Sequence, residues 1–111
     1  MDCIFCKMAK GEIPTEKVYE TDSVFAIKDI NPQAPTHLLL IPKTHYKTLM
    51  EIEDKEVLGE VLASVKEIAK KLGFAESGFR TVINTGKGGG QIVFHLHVHI
   101  LSGKEMSEEM A

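Results

Sequence analysis

Residues His95-Leu96-His97-Val98-His99-Ile100-Leu101 alternate imidazole with aliphatic side chains, and a period of two is the period of a β-strand. Such a segment folds with its aliphatic residues turned into a core and its three histidines on the opposite face. Neighbouring rings then start roughly 6.6–7 Å apart, near enough to act on one small group. Three of the chain's five histidines stand here, and imidazole is the side chain best suited to nucleophilic, proton-transfer or metal-binding work near neutral pH. The row has three readings. A solvent-facing row has no structural advantage. A catalytic zinc held by all three rings is sharper. The third is nucleophilic attack on phosphorus by one ring, its neighbours stabilising charge and carrying protons.

The flanking residues favour the third reading. Gly88-Gly89-Gly90-Gln91 lies just before the row, and glycines let a backbone approach a phosphate closely and aim several N–H groups at it. Asn84, where that loop begins, adds a neutral amide able to hold an oxyanion or a leaving group. The net charge of −3 argues against a nucleic acid polymer as partner, which calls for a basic surplus. It leaves room for a single nucleotide, whose phosphate amides and imidazoles can hold.

Around the row the pattern is that of one α+β domain with an antiparallel sheet of about five strands. A short helix is expected over Cys3–Lys10, closed by Gly11 and Pro14. Strands are expected at 18–20, 24–27, 37–41 and 80–84 besides the histidine strand, with a rigid two-proline loop at 29–35. The long helix is expected from about Asp54 to Leu72. Its apolar stripe is Val57, Leu58, Val61, Leu62, Val65, Ile68, Ala69 and Leu72, and Gly73 stops it. Residues 105–111 read as a loose polar tail. No apolar run approaches the ~18–20 residues of a membrane span, and the start of the chain is too short and polar for a signal peptide, so a cytoplasmic protein is expected.

Asn84, then Gln91-Ile92-Val93-Phe94-His95-Leu96-His97-Val98-His99-Ile100-Leu101, together with the segments 29–37 and 41–45, resembles the histidine triad (HIT) superfamily. The resemblance runs from about residue 2 to residue 104, and the ending Ser102-Gly103-Lys104 is similar to the Hint branch rather than the Fhit branch. It implies a HIT-like fold over a single domain, 1–111, and a nucleotide hydrolase that cleaves purine nucleoside phosphoramidates (AMP joined to an amine). His97 would be the nucleophile, forming a nucleotidyl-histidine that water then hydrolyses. His99 would serve phosphate, leaving group and proton transfer, with His37 in support. Gln91, Gly90 and Asn84 would lie beside the phosphate, Asp29 would accept hydrogen bonds from the ribose, and Ile4, Phe5, Met8, Ile27 and Ile30 would wall the base pocket. Ile92 departs from the Hint pattern, where a serine commonly touches phosphate. A Fhit-like diadenosine polyphosphate hydrolase and a nucleotide-binding or scaffolding protein with weak turnover are the alternatives. The family likeness also implies a homodimer that pairs the long helix and a strand edge.

Cys3-Ile4-Phe5-Cys6 suits a metal or redox pair better than a structural disulfide, and no βαβ pattern accompanies it to suggest a redox fold. A closed structural zinc site needs two more ligands. His45 and His95 are the candidates, and in the zinc-containing, bacterial-like HIT proteins that this chain resembles those positions complete a Cys₂His₂ site. His95 would then anchor the histidine strand rather than act as a free acid or base.

Overall fold

The computed structural model describes residues 3–107; of the expected tail, 108–111 lie outside the described residues. Helix α1 (Ile4–Ala9) is capped by the Cys3 side chain, which accepts from the Cys6 amide. Strands β1 (Tyr19–Glu20), β2 (Val24–Lys28) and β3 (Thr36–Pro42) follow. The long helix α2 (Lys55–Leu72) begins at the N-cap Asp54, whose side chain accepts from the Glu56 amide, and ends at Gly73 with φ of 84°. That is the left-handed conformation a helix stop favours in glycine. Strands β4 (Arg80–Val82) and β5 (Val98–Ser102) complete a five-stranded antiparallel sheet in the order β1-β2-β3-β5-β4. The α+β expectation is met.

Both faces of the central strands are covered, which is why β2 and β3 read as nearly unbroken apolar runs. On one face Val24, Ala26, Leu38, Leu40, Val98 and Ile100 pack against Val61, Val65, Ile68 and Ala69 of α2. On the other, Phe25, Ile27, Leu39 and Ile41 meet Cys3 and Phe5 of the α1 region. Two members of the expected helix stripe stay outside: Leu62 and Leu72 are 55% and 42% exposed.

The histidine strand begins later than expected, at Val98 rather than His95. The physical reason lies in β3. Its ladder with β5 runs out at the Leu40–Val98 pair, close to Pro42, which has no N–H to donate. The Leu96 amide donates to the Tyr46 carbonyl instead, at 2.7 Å. β4 is likewise shorter than expected, ending at Val82 before Asn84.

β5 leaves the sheet through Gly103, at φ of 95°, where an added Cβ would stand 2.8 Å from Pro35 Cβ. Pro35 belongs to the rigid loop after β2, so this contact ties the end of β5 to the loop that carries Asp29. Gly103→Ala is expected to cost about 1–3 kcal/mol, read as a lower midpoint in denaturant unfolding.

Candidate active site and metal cluster

The three histidines do not converge on one point. His95 is fully buried, and its Nε2–H donates to the Pro42 carbonyl at 2.7 Å. That bond fixes the tautomer and leaves the Nδ1 lone pair facing a cluster. Nδ1 stands 3.2 Å from Cys3 Sγ, 3.5 Å from Cys6 Sγ and 3.1 Å from His45 Nδ1, and His45 Nδ1 is 3.3 Å from Cys6 Sγ. Edges of about 3.3–3.8 Å follow for a tetrahedron with metal–nitrogen and metal–sulfur bonds of about 2.0 and 2.3 Å; these four separations lie close to that range, and all four donors stand within 4.8 Å of one another. Burial is the main reason that the Cys6 thiol sits above its ordinary value, with Cys3 beside it adding to the shift. Burial also holds the His95 imidazole below its ordinary value, opposed by the Pro42 carbonyl and aided by His45 and His97. A neutral imidazole is the form that ligates. The expected set Cys3, Cys6, His45 and His95 is thus brought together across α1, the β3–α2 connection and the approach to β5.

His97 turns the other way. Its Nδ1–H donates to the His95 carbonyl at 2.8 Å, which puts the lone pair on Nε2. Phe5 packs edge-on against both rings, 5.7 Å from His95 and 5.3 Å from His97 between centroids. The cluster therefore holds His97 twice, through the backbone of His95 and through Phe5 of the helix that carries Cys6 and is capped by Cys3.

His99 lies 5.2 Å from His97, centroid to centroid. Its tautomer is set by a chain of contacts. The Gln33 amide donates to His37 Nδ1 at 3.0 Å, so the His37 proton is on Nε2. That proton meets His99 Nδ1 at 2.9 Å, with Asp29 Oδ2 farther away at 3.4 Å. His99 therefore carries its own proton on Nε2, the nitrogen directed away from His37. Burial depresses the His99 pKa below its ordinary 6.5; His97 and His37 add to this and Asp29 opposes it.

This depression has a sign for stability. Below about pH 6.5 the unfolded His99 takes up a proton that the folded one resists, so stability falls as pH drops and levels off once the folded ring titrates. Thermal midpoints of the native protein should therefore fall more steeply between pH 7 and 5 than those of His99→Asn.

The remaining expected residues are placed unevenly. Phe5 and Ile27 are buried together with Met8 against them, whereas Ile4 is half exposed and Ile30 fully so. Asp29 Oδ1 accepts from the Asn31 amide at 2.8 Å. Asn84 donates to the Gly89 carbonyl at 2.9 Å and lines a cavity with His37 and His99. The glycine loop differs from expectation. The amides of Gly89, Gly90 and Gln91 donate to the carbonyls of Gly86 and Lys87, so these N–H groups are engaged within the loop instead of aimed outward. Gln91 is buried. It donates to the carbonyls of Lys47 and Val93 and accepts from the Gly86 amide. Through these bonds its side chain braces the loop against the β3–α2 connection. Ile92 is 89% exposed.

The sequence reading missed Gln33, whose backbone amide is what pins His37; a main-chain donor leaves no residue-type signal. It also missed Arg80 and Lys104, which line the cavity beside His99.

Comparison with known proteins accords with this geometry. The HIT domain family model matches residues 10–106. The chain is 40% identical over 112 residues to the purine nucleoside phosphoramidase of Escherichia coli K12, covering 99% of this chain and 94% of that one. It is 48% identical over 108 residues to a 14 kDa zinc-binding protein of Zea mays, covering 94% and 84% of the two chains. The crystal structure of a HIT family hydrolase from Legionella pneumophila superposes with a TM-score of 0.91 at 46% identity, over 96% of this chain and 97% of the other. With its histidines, fold and relatives in agreement, the chain belongs to the HIT family and is a hydrolase.

Proposed function

We propose that the protein hydrolyses purine nucleoside phosphoramidates through a covalent intermediate on His97. The observation that carries this reading is the pair of opposed tautomers: a lone pair on His97 Nε2 beside a proton on His99 Nε2. Neutral imidazole attacks phosphorus without first losing a proton at pH 7, and an amine leaves phosphorus only once its nitrogen is protonated. In the first step His97 Nε2 bonds to the α-phosphorus, the P–N bond to the amine breaks, and the departing nitrogen takes the Nε2 proton of His99, which enters the step with a second proton taken from solvent at Nδ1 and is left as a neutral ring. In the second, water adds to phosphorus, the bond to His97 breaks, and His99 Nε2 collects the proton of the water. His37 acts through His99, holding that ring through the 2.9 Å approach of its Nε2 to His99 Nδ1, with Asp29 Oδ2 at 3.4 Å to take the His37 proton when His99 Nδ1 is protonated. Asp29 is offered to the ribose, Asn84 to the phosphate side, and Ile4, Phe5, Met8, Ile27 and Ile30 to the purine. AMP release from an adenosine 5′-phosphoramidate of a simple amine is the test; intact substrate after prolonged incubation would remove the proposal.

The donor set Cys3, Cys6, His45 and His95 fits zinc. Two thiolates and two neutral imidazoles in a closed set suit a structural ion, which leaves no open position for substrate. Free thiols of this kind suit the reducing cytoplasm, and no helix among the described residues is long and apolar enough to cross a membrane.

Two copies are proposed to pair through β4 and α2. β4 is an edge strand, and edges invite pairing. An apolar hollow of about 420 Å³ beside it is lined by Leu49, Met50, Leu58, Leu62 and Ile83, with Met50 79% exposed. Leu62→Glu should convert a dimer to a monomer in sedimentation analysis; a native protein that sediments as a monomer contradicts the pairing.

A further inference from the structure

Cys3 and Cys6 are the only two cysteines of the chain, and both are free thiols. Cys3 is the N-cap of α1 and Cys6 lies in its first turn, with the Cys6 amide donating to Cys3 Sγ at 3.4 Å. A cap and the third residue of its helix face each other. The two sulfurs accordingly stand within 4.8 Å of one another, and a disulfide between them closes within a single turn. The sulfurs differ in access. Cys3 is 8% exposed and packs in the apolar cluster of Phe5 and Phe25, whereas Cys6 is only partly buried. The metal cluster is thus sealed at Cys3 and His95 and reaches the surface at Cys6 and His45.

We propose that Cys3 and Cys6 form a reversible, peroxide-sensitive disulfide that opens the metal cluster and loosens His97. A thiol coordinated to zinc is held as the thiolate, the form that attacks peroxide. Cys6, the accessible sulfur, reacts first: its Sγ bonds to one peroxide oxygen, the O–O bond breaks, and hydroxide leaves, so that Cys6 becomes a sulfenic acid. Cys3 Sγ then attacks Cys6 Sγ, the S–S bond forms, the S–O bond breaks, and a second hydroxide leaves. Two electrons pass from the sulfurs to peroxide, and solvent protons turn both hydroxides into water. His45 and His95 alone do not make a closed structural site. The fully buried Nδ1 of His95 loses both sulfur partners, and an acceptor left short of partners in a core is unfavourable. The change reaches His97 by two routes, through the His95 carbonyl and through Phe5, which stands between the two cysteines in the chain.

The test treats the zinc-loaded native protein with hydrogen peroxide. Released zinc is followed with a metallochromic indicator, the intact chain by mass under non-reducing conditions, and stability by a thermal melt. One zinc should leave per disulfide formed, with the chain lighter by two hydrogens, and the midpoint should fall to that of the chelated protein. Dithiothreitol with added zinc should reverse all three, and turnover should fall and return in step. Cys3→Asp keeps a helix cap and offers an oxygen ligand but removes the partner sulfur, so it should hold its zinc through the same treatment. Zinc retained by the native protein overturns the proposal, as does zinc released with oxygen added to Cys6 and no disulfide. Release from Cys3→Asp at the native rate overturns it too, and where that variant takes up no metal the native mass and zinc readings decide. A native protein that carries no zinc leaves no cluster to open and also overturns it. Turnover unchanged after release overturns the link to His97. The zinc and mass readings involve no substrate, so their outcome is separate from that of the phosphoramidate reading.

Discussion

His97→Ala is expected to lower AMP release by at least about a thousandfold, the scale on which removal of a covalent nucleophile acts. The fold should survive the change. His97 is only partly buried, and it is held by one bond to the His95 carbonyl and by ring edges of Phe5 and His99, none of them in the packed core against α2. The variant should therefore keep its metal content and thermal midpoint within a few degrees while losing turnover. Loss of turnover together with metal and midpoint would mean that the substitution reports on structure rather than chemistry. Steady-state kinetics, elemental analysis and a thermal melt on the same preparation separate the two.

Removal of the zinc proposed for the cluster of Cys3, Cys6, His45 and His95 should have the second largest effect, and on stability first. Structural zinc sites in small peptides are worth about 10–16 kcal/mol of apparent binding energy. This chain has a packed core of its own, so most of its fold should persist without metal. The end of the chain at α1, however, is joined to the sheet by the cluster through Cys3 and Cys6, and the second apolar cluster depends on α1 being in place. Even about 2 kcal/mol lost on removal would lower the thermal midpoint by roughly 10 °C. Cys6→Ser should reproduce the chelated midpoint and lose at least half of the bound zinc. Activity should fall as well, since His95 and Phe5 are what hold His97. A chelated protein with an unchanged midpoint would contradict a structural role for the ion.

Much of this site was legible in the sequence because its parts obey local rules. The alternation at 95–101 placed His97 and His99 on one face, opposite Val98 and Ile100, which are both fully buried. The short helix expected over Cys3–Lys10 runs over Ile4–Ala9, and Cys3, which caps it, is itself a candidate ligand. Asp54 and Gly73 delimited α2 at both ends. What was not legible depends on main-chain partners and register. His95 leaves the strand because β3 ends at a proline, and Gln91 is buried because three backbone groups converge on it. The glycine loop looked like an open row of amides, yet its turns consume them. Leu62 followed the helical period and still stayed exposed, since the period describes a stripe and not the width of the surface that covers it.

The central claim is that phosphorus becomes bonded to His97 during turnover. Rapid mixing with an adenosine phosphoramidate, an alkaline quench that preserves the acid-labile P–N bond, and mass spectrometry of the digested protein would measure it most directly. The account predicts a transient adenylyl adduct on the peptide containing His97, formed and lost at rates no slower than turnover. Turnover with no adduct at any time, or with the adduct on another residue, would contradict it.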